Sequence, residues 1–356
     1  MDPGTDPFLI RQLSHYIPYS GGLTIDPPDL EDEVEKRRTA VNERIGERLD
    51  WSDEVSIHGS SRYLVDSGGK RLRPVLLLLA AEVTSDADSP DDMRELWRKV
   101  LPAALGIEMI HSFSLVHDDI MDEDDYRRGV ETVERRWSQT VAILTGDFLY
   151  SQGFELFLEP DAEPESLLEV MRLVSEGCSH LCRGQALDME FEDRTDVNED
   201  EYLRMVEWKT AKLFSVAARS GSLLENGNRG EVGAIGRYAE NLGKAFQIRD
   251  DVLDVAASSE ATGKPRGSDL VEGKNTMVTV HARRNGVDLE SVDRESTEEE
   301  VLEVIDEMRD AGSIDYARKR TQEFVEEARN ELDGFPDSGS REILDGLAEY
   351  VGDRDK

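Results

Sequence analysis

Apolar residues recur at three- and four-residue intervals along most of this 356-residue chain, while the two-residue alternation of half-buried strands is almost absent. Asp29 to Leu49 reads as a charged amphipathic helix. Pro74 to Val83 follows the Gly68-Gly69 break and puts proline in a first helical turn, where a missing N–H costs nothing. Further helices are predicted over Glu95 to Asp122, Val133 to Leu158, Pro164 to Glu190, Glu199 to Leu224 and Glu231 to Ala257. Thr276 to Arg284, Thr297 to Ala311, Asp315 to Leu332 and Ser340 to Val351 complete the set. Clusters of Pro, Gly, Asn or Asp separate most of them, as at Glu225 to Gly230 and Asp333 to Ser340. No tandem repeat or linker interrupts the pattern. The expectation is an all-α fold with one large domain over residues 29–356. About 300 residues is long for a single solid core, so a helical barrel or bundle around a central cavity accommodates the length better. Residues 1–28, rich in proline and carrying a glycine pair, are expected to form a loosely ordered extension.

Two aspartate pairs interrupt apolar helical stretches about 130 residues apart. The first is Asp118-Asp119-Ile120-Met121-Asp122 and the second Asp250-Asp251-Val252-Leu253-Asp254, each reading DDxxD. Residues three and four apart share a helix face, so Asp118 projects with Asp122 and Asp250 with Asp254. Clustered carboxylates beside apolar surface are costly unless cations neutralise them, and hard oxygen ligands suit Mg²⁺ shared with a substrate phosphate. The chain holds 78 Asp plus Glu, so one such motif alone would read as a solvated helix face. Solvated acidic segments such as Glu298 to Glu303 sit among other charges. Both DDxxD motifs instead follow Ile-, Leu-, Val- and Phe-containing turns, which favours a two-sided metal site.

The net charge of −36 rules against nucleic acid as a partner and keeps the chain soluble, at the cost of self-repulsion in dilute buffer. A protein adapted to high salt, where screening acts over a few ångströms, is the expectation. Lysine supplies only ten of the 42 positive residues. Four of those ten, Lys70, Lys209, Lys264 and Lys274, lie in Gly-, Arg- or Thr-containing segments where an acidic protein would keep positive charge for an anionic substrate. Cys178 and Cys182 are the only cysteines; they form no disulfide framework and lack the further ligands of a closed zinc site. No signal peptide is apparent, and the longest unbroken apolar run, Pro74 to Ala81, is far short of the ~20 residues that span a bilayer. A cytoplasmic protein, not integral to a membrane, is expected.

The basic segments interleave with the acidic ones. Gly68-Gly69-Lys70-Arg71-Leu72-Arg73-Pro74 is a glycine turn running into a helix start, where backbone N–H groups favour anions. Arg127-Arg128-Gly129 follows the first DDxxD by about one turn. Lys209-Thr210 lies on a helix, and Gly263-Lys264, Asp269 and Gly273-Lys274-Asn275-Thr276 follow the second DDxxD. Together they describe a diphosphate pocket with Mg²⁺ on one side and guanidinium or ammonium groups on the other.

GGKRLRP, HDDIMD followed by RRG, GQALD, KTA, FQIRDDVLD and GKPRGSDLVEGKNT occur in the order seen in the trans-isoprenyl diphosphate synthases, the polyprenyl synthetase family, and the chain resembles that family over roughly residues 30–355. A C-terminal stretch from Phe335-Pro336-Asp337-Ser338 onward is also similar. The resemblance implies an isoprenoid-synthase-type all-α fold with a deep apolar cavity, usually a homodimer, that joins isopentenyl diphosphate to an allylic diphosphate. It implies Asp118, Asp122 and Asp250 as main ligands of about three Mg²⁺ ions per site. Asp119, Asp251, Asp254 and Asp269 would complete the metal site or hold its waters. Arg127, Lys209 and Lys264 match residues that grip the allylic diphosphate, with Thr210 and Gln247 beside them. Lys70, Arg73, His111 and Arg128 match the isopentenyl diphosphate site, and Lys274 another lysine near the phosphates.

Chain length is read from the helix before the first DDxxD. Residues four and five before Asp118 lie roughly 6–7.5 Å below it, at 1.5 Å per residue. These are Ser114 and Phe113, with Ile110 and Met109 a turn deeper. Small Ser114 leaves room and Phe113 partly floors the cavity, a pattern resembling archaeal geranylgeranyl diphosphate synthases and predicting a twenty-carbon product, with fifteen or twenty-five carbons as the alternatives. Two departures stand out: Glu131 and Glu134 occupy positions where the family commonly has Pro and His. A terpene cyclase would carry a different second metal motif and would not need GGKRxRP. A non-catalytic partner subunit usually lacks one or both Asp-rich motifs, and this chain keeps both.

Overall fold

The 3.6-residue pattern folds as helices that pack side by side through their apolar stripes. The computed structural model describes residues 27–48, 56–87, 89–256 and 266–353. Its first helices are α1 (Pro27–Arg48), α2 (Ser56–Asp66), α3 (Leu72–Thr84) and α4 (Pro90–Met121). They are followed by α5 (Val133–Arg136), α6 (Gln139–Phe157), α7 (Pro164–Glu192), α8 (Glu199–Val206), α9 (Lys212–Leu224) and α10 (Arg229–Ala256). The chain ends with α11 (Ser268–Val271), α12 (Met277–Arg284), α13 (Glu298–Asp310), α14 (Ser313–Asn330) and α15 (Gly339–Gly352). Among the described residues the only sheet is a two-residue hairpin, β1 (Tyr126–Arg127) with β2 (Val130–Glu131). The all-α expectation therefore holds. Residues 1–26 of the expected extension lie outside the described residues, and Pro27 and Pro28 already open α1.

Two hydrophobic cores share a wall. One joins α8, α10 and α12 to α15; the other joins α2, α4, α6 and α7. Both draw on α3 and α9. In α3, Leu76 and Leu79 face the first core while Leu77 and Leu78 face the second; in α9, Phe214 and Leu213 divide likewise. Every residue from Pro74 to Val83 is buried, as expected of a helix packed on all sides. The α4–α6 and α10–α14 pairs are the other principal packings. Along the α4–α6 crossing, Gly106 and Gly153 let the backbones approach: a Cβ on Gly153 would stand 3.0 Å from the Gly106 carbonyl oxygen. The length and composition of α4 alone would let it cross a membrane, but most of its apolar window is buried inside the bundle.

Several boundaries differ from the sequence reading. The helix expected from Glu95 begins at Pro90, because Ser89 and Asp92 form a capping box that satisfies the first free amides. Val133 to Leu158 splits at Trp137-Ser138, where the Ser138 hydroxyl caps α6. The predicted Glu199–Leu224 helix is continuous but contains a π-helical turn over Glu207–Ala211.

Candidate active site

The first acidic wall is the C-terminal end of α4. Asp118 and Asp119 occupy its last turn and Asp122 caps it, its amide bonded to the Asp118 carbonyl at 2.8 Å. The chain then turns through the β1–β2 hairpin, whose two turn residues, Arg128 and Gly129, both have positive φ, 53° and 77°. That is the geometry of the tight turns that suit the right-handed twist of paired strands. It sends the two arginines to different neighbours. Arg127 pairs with Asp119 through Nε and lies 3.8 Å from Asp118 and 3.4 Å from Asp124. Arg128 donates to the Gly68 carbonyl, and a side chain at residue 69 would meet the flexible end of Arg128 at 2.9 Å, so it is the φ of 138° that calls for glycine at residue 69.

The second wall is the C-terminal half of α10. Asp251 is buried and fully used: Oδ2 accepts from the Tyr202 hydroxyl and, at 2.9 Å, from the Met277 amide, while Oδ1 accepts from Gln247 Nε2 at 3.2 Å. Asp254 anchors the segment that follows, accepting from Ser268 Oγ at 2.6 Å and from the Asp269 amide at 3.2 Å.

The π turn joins the walls. Lys209 reaches Asp118 at 3.3 Å and Asp188 at 2.5 Å, whereas the next residue, Thr210, donates to Gln247 Oε1 at 3.1 Å. Gln247 passes the connection on to Asp251. Lys274 makes a second bridge, 3.8 Å from Asp122 and 2.7 Å from Glu272. Burial works against both ammonium groups, but Asp188 and Asp118 hold Lys209 above the ordinary lysine range, and Glu272, Asp269 and Asp122 do so for Lys274.

A basic surface adjoins the walls. Arg73 is half-buried over the Phe214 ring at 4.5 Å, and Lys70 lies 5.5 Å from the Phe246 ring. Burial, with Arg128 nearby, brings the Arg73 guanidinium down to about 10. Burial and the neighbouring Arg73 and Arg128 hold His111 well below the usual histidine range, so it is a neutral imidazole at physiological pH. Phe214 and Phe246 also line a small apolar cleft with Leu72, Leu76, Leu242 and Tyr350.

Comparison with known proteins fits this geometry. The sequence matches the family model "Polyprenyl synthetase" over residues 54–309. The chain belongs to the polyprenyl synthetase family. It is 43% identical to a geranylfarnesyl diphosphate synthase of Natronomonas pharaonis, with 91% of this chain and 98% of the relative covered. Identity is 41% to a geranylgeranyl diphosphate synthase of Methanosarcina mazei, covering 90% and 97%. Among solved structures, a geranylgeranyl pyrophosphate synthetase from Geoglobus acetivorans superposes with a TM-score of 0.83 at 38% identity, covering 90% of this chain and 99% of that one. As a polyprenyl synthetase, the protein is a prenyl-transferring enzyme.

The acidic walls of this synthetase suit a divalent cation. Asp119 Oδ2 is buried without a hydrogen-bond partner, as are Gln185 Nε2 and Arg73 Nε. Burial pushes Asp119, Asp122, Asp250 and Asp251 up to about 6, and burial together with Asp254 raises Asp269. Carboxylates held that way gain from a nearby positive charge. Among the described residues, no three His, Cys, Asp or Glu side chains converge on one point. Mg²⁺ keeps several waters and takes oxygens from substrate phosphate, so two walls with separated carboxylates fit it better than they fit an all-protein cage.

Most predicted site residues of the synthetase come together. Lys264 lies outside the described residues. Asp188 and Tyr202 were not assigned roles from sequence. Asp188 stands in the GQALD segment, which could have flagged it, whereas nothing local marks Tyr202 as the partner of Asp251, 49 residues away. Phe113 is buried and meets Tyr150 edge-on at 5.0 Å and His117 at 5.7 Å; Ser114 Oγ donates to the His111 carbonyl, and Met109 is fully buried. Glu131, one of the two departures, is exposed, with Arg135 Nε 3.2 Å away.

Proposed function

We propose that this synthetase condenses isopentenyl diphosphate with an allylic diphosphate and releases geranylgeranyl diphosphate. The observation that carries the reading is the Lys209–Thr210 pair, which connects one acidic wall directly and the other through Gln247. Asp118, Asp122, Asp250, Asp254 and Asp269 would hold about three Mg²⁺ ions, with Asp119 and Asp251 supporting them; when bound, the metal supplies Lewis-acid stabilisation of the departing diphosphate. Arg127, Lys209 and Lys274, with Lys264 by its sequence position, grip the allylic diphosphate as its C–O bond ionises. Lys70, Arg73, Arg128 and neutral His111 hold the second diphosphate, so that its isopentenyl double bond faces the allylic cation. Apolar walls exclude the water that would capture that cation. After the new C–C bond forms, a proton leaves to the released diphosphate.

Phe113, held edge-on by Tyr150 and His117, supports a floor that stops growth at twenty carbons. The 43% identity to a geranylfarnesyl diphosphate synthase makes twenty-five carbons the second reading. Labelled isopentenyl diphosphate, Mg²⁺ and each of the dimethylallyl, geranyl and farnesyl diphosphates, in high KCl, should yield a ladder ending at twenty carbons. Phe113→Ala should carry it further. An unchanged distribution in that variant would remove Phe113 from the argument, and no elongation from any starter would contradict the reaction itself. The free cysteines, Cys178 buried and Cys182 exposed, suit a reducing cytoplasm.

A further inference from the structure

Glu207 and Lys212 open and close the π turn, and their geometry is informative. The Lys212 amide donates to the Glu207 carbonyl five residues back, and Lys212 Nζ lies 3.1 Å from Glu207 Oε1. In an α-helix, residues five apart are separated by about 140° around the axis and face different ways. A turn closed by an i→i+5 bond brings them over one another. The ion pair is therefore available while the turn stays wide and is lost if it tightens.

The pair is one side of a closed ring of alternating charge. Lys212 continues to Glu240 at 2.7 Å, Glu240 to Lys244 at 3.2 Å, and Lys244 back to Glu207 at 3.2 Å. The four side chains are only 14–29% exposed, so salt screens them less than open surface pairs. Glu240 and Lys244 belong to α10, and Lys244 stands three residues before Gln247, the acceptor of Thr210. On the opposite side of the turn, Gly184 of α7 sits so close to the Lys209 backbone that any side chain there would collide with it. Two of the chain's ten lysines are committed to this ring, away from the acidic walls.

We infer that the Glu207–Lys212 pair is a register lock for the π turn, and that Glu207, Lys212, Glu240 and Lys244 are positioning residues for Lys209 and Thr210. The functional half of this rests on the prenyl-transfer reading above. Without the wide turn, everything on one side of it rotates by about 100°, one α-helical residue. Either Lys209 then leaves Asp118 and Asp188, or Thr210 leaves Gln247.

The test compares Lys212→Met, which keeps the stem and removes the charge, with Lys212→Arg, which keeps the charge. In Lys212→Met, amide hydrogen exchange in the 207–212 segment should accelerate while the rest of α9, and α10, stay protected. Its kcat should fall about tenfold with KM for isopentenyl diphosphate within about twofold, because Lys70 and Arg73 are not carried by this turn. Lys212→Arg should stay within about twofold of wild type in both measurements. Glu207→Gln attacks the same pair from its other end and carries the test should Lys212→Met fail to fold. Unchanged exchange, an unchanged kcat, or an arginine variant as damaged as the methionine one would overturn the lock. Wild-type protein inactive with every starter would overturn the reaction instead, and the exchange measurement, which needs no substrate, would still judge the turn.

Discussion

Single carboxylates decide how this site responds to pH. Asp119, Asp122, Asp250 and Asp251 are held at about 6 by burial, against about 3.9 for an unfolded aspartate. Between those values the folded metal-free protein binds more protons than the unfolded chain, so these groups' contribution to stability is present below about pH 4 and falls as pH rises through 6. A divalent cation reverses that cost once the groups are ionised, but below pH 6 it must compete with their protons. Melting temperatures with and without Mg²⁺ should therefore differ more at pH 8 than at pH 5. An equal gain at both would mean that these four aspartates are not where the ion acts. The two DDxxD motifs and the lysines were legible because their side chains contradict their apolar surroundings. Tyr202 was less so, since a buried hydrogen bond to a residue 49 positions away leaves no mark on its local sequence.

At the scale of elements, periodicity located the long helices to within a few residues and failed where burial is not hydrophobic. The missed α2 buries Ser60 and Ser61, and Ser60 pairs with Thr145 at 2.6 Å rather than with an apolar neighbour. The π turn was invisible for a different reason: one extra residue inside a continuous apolar pattern shifts the face without interrupting it. Close helix crossings are likewise silent in sequence until the partner is known. Gly153→Ala would set a methyl 2.7 Å from Ile110 Cγ1 and 3.0 Å from the Gly106 carbonyl. Such overpacking should cost about 1–3 kcal/mol. Chemical denaturation measures it directly, and a variant as stable as wild type would mean that α4 and α6 can separate freely.

For the whole molecule, charge and apolar surface pull in opposite directions. Ile143, Leu144 and Tyr150 of α6, with Leu158 just beyond it, are exposed apolar side chains on a chain of net charge −36. If two chains pair through this face, they do so against the repulsion of two acidic bodies. Light scattering should give the mass of two chains in molar KCl and a mass falling toward one chain in dilute buffer. A monomer at every salt concentration, or a dimer indifferent to salt, would contradict this pairing of charge and surface.

The shared wall of α3 and α9 bears on how the molecule can be divided. Because Leu76 and Leu77 of one helix belong to different cores, as do Phe214 and Leu213 of the other, neither core closes without both helices. A fragment ending between them would leave a helix apolar on every side with one side bare. Among the described residues there is therefore no seam along which two independently folding halves could be cut.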